Sequence, residues 1–168
     1  MKFAAIFVPS IYSFHYEKMS SNEYDRNLDN WSNTEFLFQF AKKNNIKDIP
    51  IFIEKISKNL EELEDTIESI RNTDGRFIKL FEPLSQSEKN KIISFNKGKI
   101  PNNPLRLYSI KIEDNIFVIT GGAIKLSMKM QDHPTTKKEL LKLKAARDYL
   151  NQYQILNEDA FYELINEL

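Results

Sequence analysis

Apolar residues recur at alternating steps of four and three from Ile49 through Ile53, Ile56, Leu60, Leu63 and Ile67 to Ile70. That stripe runs for about six turns and predicts one face of a long amphipathic helix. Asp48 precedes it as a cap, and Pro50 sits in the first turn, where a missing N–H costs nothing. Thr73-Asp74-Gly75 ends it. A heptad stripe also suits a coiled-coil dimer, but this one is short and the chain has other elements to cover, so packing on a sheet is expected. Ser32 followed by Glu35 forms a capping box and predicts a helix with Phe36, Leu37, Phe40 and Ala41 on one face, ending near Asn44-Asn45. Thr136 to Glu139 repeats the device ahead of Leu140, Leu143, Ala146 and Leu150, and Asn157 caps a last helix bearing Phe161, Leu164, Ile165 and Leu168. Phe77, Leu80, Phe81 and Leu84 predict a further short helix.

Elsewhere the period shortens to two or the apolar residues run together. Residues 3–8 and 11–17 read as extended segments broken by Pro9-Ser10, and the polar stretch Glu17–Asn30 as a loop. Residues 85–103 are polar and rich in Lys and Asn, with one short strand expected at Ile92–Phe95. Leu105–Ile112 and the apolar run Ile116–Thr120 flank Glu113-Asp114-Asn115, a turn that permits only a hairpin. Gly121-Gly122 is expected to kink or bulge the second strand, which resumes over Ala123–Ser127. The order of strand, helices, strands and helices predicts an α+β fold with a small, mainly antiparallel sheet and helices packed on it. A chain of 168 residues suits one domain, residues 1–90 supplying strand and helices and residues 91–168 the basic sheet and C-terminal helices.

Net charge is zero, yet it is unevenly spread. Residues 97–153 hold 11 Lys/Arg against 5 Asp/Glu, residues 1–96 hold 13 against 15, and residues 154–168 hold none against 4. A basic face able to meet nucleic acid or an acidic partner follows, as does the plainer outcome of a solvated surface on which the signs interleave after folding. The first residues stop being apolar at Pro9 and read as a strand rather than an export signal, and no apolar run approaches the ~20 residues of a membrane span. A cytoplasmic protein without membrane partners is the simplest expectation.

The absence of cysteine excludes disulfides, thiolate zinc sites and thiol nucleophiles. His15 and His133 are the only imidazoles, so no histidine-rich metal centre is expected, nor any cofactor. Gly121-Gly122 lacks the flanking pattern of a phosphate-cradling loop. Chemistry therefore falls to Lys, Arg, Tyr and His. Arg106 and Tyr108 lie two apart on one strand and share a face. Lys97 and Lys99 precede that strand; Lys125, Lys129 and His133 follow the next. Grouped cations stabilise the extra charge of a phosphorane-like transition state, while Tyr, Lys or His carries a proton. An RNA substrate brings its own 2′-hydroxyl nucleophile, so no metal is required.

Arg106-Leu-Tyr-Ser-Ile, the strand Ile116–Thr120, Gly-Gly-x-x-Lys125, Pro134 and a helix with Arg147 and Tyr149 resemble the C-terminal half of RelE/HigB-type toxins. Lys97 and Lys99 stand nine and seven residues before Arg106, as two lysines do in RelE-like members. The resemblance covers about residues 95–150, and the N-terminal part is enlarged by helices relative to that family. It implies a small antiparallel sheet with helices on one side and metal-independent endoribonuclease activity on ribosome-bound mRNA. Arg106, Tyr108, Lys125 and His133 would then be catalytic, Lys97, Lys99, Lys129 and Arg147 RNA-binding, and a cognate antitoxin, helix-turn-helix in type, the partner. The alternative is a non-catalytic module of the same kind that uses its basic face to bind protein or nucleic acid.

Overall fold

The computed structural model describes residues 2–126 and 134–167. Six strands form one mixed sheet in the order β1-β2-β6-β5-β4-β3: β1 Lys2–Phe7, β2 Ile11–His15, β3 Phe81–Pro83, β4 Ile93–Gly98, β5 Leu105–Ile112 and β6 Ile116–Ile124. Every neighbouring pair is antiparallel except β2 and β6, which run parallel through Ile11↔Phe117 to Ser13↔Ile119. The α+β class and the β5–β6 hairpin are as the apolar pattern predicts.

Five helices cover the sheet on both faces: α1 Glu23–Trp31, α2 Thr34–Lys43 and α3 Ile49–Thr73 on one, α4 Pro134–Gln152 and α5 Glu158–Glu167 on the other. Alternation along the strands separates the two cores. Leu105, Leu107, Phe117 and Ile119 pack with Ile56, Leu60, Leu63, Ile67 and Ile70 of α3. Tyr108, Ile110, Ile116 and Val118 pack with Leu143, Ala146 and Leu150 of α4 and Phe161 of α5. Asp48 caps α3 by accepting from the Ile51 N–H at 3.2 Å, and Gly75, at φ 67°, closes it in a conformation that favours glycine. Asn157 caps α5 by accepting from the Ala160 N–H at 2.7 Å. A helical layer on each face departs from the one-sided arrangement that the toxin resemblance implies.

Several local expectations are corrected. The stretch Glu17–Asn30 is not all loop, because α1 fills its second half. The cap of α2 is Asn33, whose side chain accepts from Phe36 N–H at 2.9 Å, while Ser32 ends α1. Phe77–Lys79 is a single 3-10 turn and Phe81 already belongs to β3, an edge strand that tolerates Pro83. The expected strand at Ile92–Phe95 continues to Gly98 and carries Lys97. β6 runs unbroken through Gly121-Gly122; its irregularity is one residue earlier, where the register slips between Tyr108↔Gly121 and Ser109↔Ile119 and leaves Thr120 extra. α4 begins at Pro134, so Thr136 lies inside its first turn rather than before it.

Candidate functional site: a cation cluster beside a buried ion network

Four of the predicted cations meet at one end of the sheet on the α4 face. Lys97 of β4 pairs with Tyr108 of β5, Tyr108 with Gly121 of β6, and Arg106 with Ala123. Period two keeps Lys97, Arg106 and Tyr108 on the same side as Phe95 and Ile110, and carries Lys125 to that side just beyond β6. Lys99 lies one step past the end of β4, held there by its N–H to Leu80 C=O at 3.4 Å, and Lys125 is fixed by its N–H to Pro104 C=O at 2.8 Å. Glu82 on β3 is the one carboxylate among the described residues bridged to the group, 3.2 Å from Lys99 Nζ and 3.8 Å from Lys97 Nζ.

The electrostatics follow from crowding. Burial, then Lys99, lowers the Lys97 ammonium below the usual lysine range; Glu82 pulls the other way and Arg106 adds to the lowering. Lys125 is lowered by burial and by the charges of Lys97, Arg106 and Lys99. Burial likewise lowers the Arg106 guanidinium, against the raising influence of Tyr108 and Glu82. Arg106 Nη1 donates to the carbonyls of Asn103 and, at 3.1 Å, Leu105, while its Nε is buried without a partner among the described residues. The loop ahead of β5 thus fixes the guanidinium from behind.

Tyr108 is 1% exposed, and burial pushes its hydroxyl up to about 12, Arg106 opposing and Glu139 reinforcing that shift. Such a tyrosine stays protonated and is a hydrogen-bond donor rather than a base. Arg147 is not brought to the cluster. Its Nη1 donates to Glu88 Oε1 at 2.6 Å and its guanidinium lies 3.7 Å over the Phe95 ring, so it serves the α4–β4 contact. Lys129 and His133 lie outside the described residues.

Next to this cluster is a network that the sequence pattern missed. Arg26 grips Glu23 with two hydrogen bonds, Nε at 2.6 Å and Nη2 at 2.8 Å. Lys142 of α4 bridges Glu23 Oε1 at 2.8 Å and Glu139 Oε1 at 3.1 Å, and sits 5.7 Å over the Tyr16 ring. Tyr16 in turn donates to Thr120 C=O at 2.7 Å, and burial, with the charge of Glu23, holds its hydroxyl far above the usual tyrosine range. Burial alone would push the Glu23 carboxyl up, but the hydrogen bonds from Arg26 and Lys142 outweigh it and hold the group low. Glu139, 3% exposed, has no such pair of donors; burial pushes it up, Lys142 only partly offsets this, and its Oε2 has no partner among the described residues. Two carboxylates on one ammonium are thereby driven apart in acidity. The clue in the sequence was slight: Glu139 read as half of a capping box and Glu23 as part of a loop, and nothing local links Glu23 to Lys142, 119 residues on.

The network forms part of the wall of a cleft of about 910 Å³ between α1, α2, the end of β6 and the start of α4. Arg26, Lys42, Lys43, Lys138 and Lys142 line it with Glu139, together with Trp31, Phe36 and Phe40. Ile124, in its lining, directly precedes Lys125, so cleft and cluster adjoin.

Fold and site together define a mixed-sheet α+β protein with a cluster of cations at one end of its sheet. No family model, no curated protein and no solved structure matches the chain. Among the described residues no helix is long and apolar enough to cross a membrane.

Proposed function

We propose that the chain is a metal-independent endoribonuclease of toxin type, acting in the cytoplasm on ribosome-bound mRNA and held in check by an antitoxin. The observation that carries this reading is the convergence of Lys97, Lys99, Arg106 and Lys125, with Glu82, bridged to Lys97 and Lys99, the one carboxylate among the described residues that pairs with the group. Lys97, Arg106 and Lys125 are partly desolvated by the fold, which strengthens their hold on a phosphate oxygen. Arg106 would bind the scissile phosphate, with Lys97, Lys99 and Lys125 sharing the charge that builds as the 2′-oxygen attacks phosphorus and the 5′-oxygen departs. Tyr108 is the wrong group to take the 2′-proton, since its hydroxyl is held protonated. Lys97, whose ammonium is lowered by burial and by Lys99, is the described residue we assign to proton exchange. An antitoxin of helix-turn-helix type would cover the cluster with carboxylates.

The buried Tyr108 favours a second reading, a non-catalytic module that grips RNA or an acidic protein through the same cations. Inducible expression with primer extension on a reporter mRNA separates the two. The nuclease reading expects growth arrest and discrete cleavage sites, both lost in Arg106→Ala by about a hundred- to thousandfold in rate, with a smaller defect in Lys125→Ala and unchanged circular dichroism. RNA retention without cleavage leaves the binding module. No retention and no cleavage removes the nuclease and the RNA-gripping form of the module.

A further inference from the structure

We propose that the cleft between α1, α2 and α4 binds a nucleotide, free or as one unit of a strand, with phosphate at the lysine-lined mouth and the base against the aromatic wall. The cleft, about 910 Å³, has the size of small-molecule sites. Its lining sets five cations against one carboxylate, a balance suited to an anion and ill suited to a neutral sugar. Arg26 and Lys142 are committed to Glu23 and Glu139 at the back. Lys42, Lys43 and Lys138 have no bridging carboxylate among the described residues; Lys42 lies 5.5 Å over the Phe38 ring, and the charge of all three is left for a ligand.

A bare anion would not use the rest of the surface. Phe36 and Phe40 lie stacked, 6.5 Å apart at 22°, and Phe52 backs Phe40 at 5.9 Å and 10°, giving a rigid, partly exposed wall for a planar ring. Glu139 lines the cleft with its Oε1 held by Lys142, while its Oε2 lies buried against Gly121 of β6 without a partner among the described residues. Burial pushes its carboxyl up, so it sets less negative charge against the cations of the lining than an ordinary carboxylate would. None of the lining residues belongs to the Arg106 cluster, so the inference stands apart from the nuclease reading.

Trp31 is the single tryptophan of the chain and lines the cleft, so its emission reports occupancy. The full chain would be titrated with AMP, ATP, inorganic phosphate and a ten-nucleotide oligoadenylate. The expected result is a saturable change in Trp31 emission with AMP or ATP, and phosphate weaker by about tenfold or more. Tighter binding of oligoadenylate than of AMP marks a strand as the source, and the reverse a free nucleotide. The double variant Lys43→Ala/Lys138→Ala, with the single Lys138→Glu as a second test, should lose about tenfold or more in affinity at an unchanged urea midpoint. Arg106→Ala should keep the Trp31 response even where it abolishes cleavage of RNA, which separates failure of this site from failure of the nuclease. No saturable change with any probe, phosphate binding as tightly as AMP, wild-type affinity in the lysine variants, or loss of the response in Arg106→Ala would each overturn the site.

Discussion

Gly121 is the position at which the smallest change should do measurable damage. Its backbone φ is not in the left-handed region, so alanine there is a question of space alone. An added Cβ would stand 2.0 Å from Glu139 Oε2 and 2.9 Å from its carboxyl carbon, whereas ordinary contact begins at 3.4 Å. The carboxyl would have to retreat by about 1.4 Å. It is the end of a side chain, but a buried one, tied by its other oxygen to Lys142. Overpacking of this kind costs about 1–3 kcal/mol. Urea unfolding followed through Trp31 emission would measure it for Gly121→Ala in the wild type and in a Glu139→Ala background, where the obstructing oxygen is gone. The cost should shrink there, giving a coupling of about 0.5–3 kcal/mol between the two positions. A Gly121→Ala protein within about 0.5 kcal/mol of wild type, or an equal loss in both backgrounds, would refute the placement of Glu139 over β6.

Leu63→Ala, at 1% exposure on the α3 stripe, should cost about 2–5 kcal/mol in the same assay. Exposed Glu61→Ala should stay within about 0.5 kcal/mol; Glu62 is a poorer control, because it accepts from Asn103 Nδ2 at 2.9 Å. Arg147→Ala strips a charged partner from buried Glu88 and should lower stability by about 1.5–3 kcal/mol without weakening retention on an RNA column. Loss of retention at unchanged stability would return Arg147 to the RNA-binding set. Glu139 is raised in the folded state, so its contribution is complete below the ordinary 4.5 and is lost as pH climbs through its folded value. Glu139→Gln should therefore gain stability relative to wild type as pH rises from 4.5, and urea melts at a series of pH values that show no such gain would contradict the shift.

The parts of the fold legible in the sequence are those built by apolar periodicity. The α3 stripe predicts the helix and its buried face because each apolar residue has a partner three or four positions away, and the hairpin declares itself through two apolar runs and a polar turn. α1 is hidden because its buried set includes Glu23 and Asn27 beside Tyr24 and Trp31. Those polar groups are satisfied by hydrogen bonds, one of them from Lys142 across the fold, and a hydrophobic pattern has no mark for that. Phe77, Leu80, Phe81 and Leu84 carry helical spacing, yet a 3-10 turn followed by an edge strand buries Phe77, Leu80 and Phe81 just as well. At the site, Arg106 and Tyr108 were legible through strand parity, whereas Lys97 was read as preceding the strand and takes its place only because β4 runs on to Gly98 and pairs it with Tyr108. Arg147 was not, because the acid that claims it stands 59 residues away.

The parallel register between β2 and β6 sets an order on how the molecule can be completed. β2 leaves the ribosome before its partner at Phe117–Ile119, which follows more than a hundred residues later. At about 5–20 residues per second, the N-terminal hairpin waits roughly 5–20 s with one edge unsatisfied. Throughout that interval Ile11, Tyr12 and Phe14, all buried in the finished protein, face solvent beside open backbone groups, the combination that invites strand exchange with a neighbouring chain. The same separation makes the β1–β2 hairpin the piece most easily supplied from outside. A chain beginning after His15 would present the vacant edge of β6 to it, and reassembly from two fragments would be the natural behaviour of such a sheet.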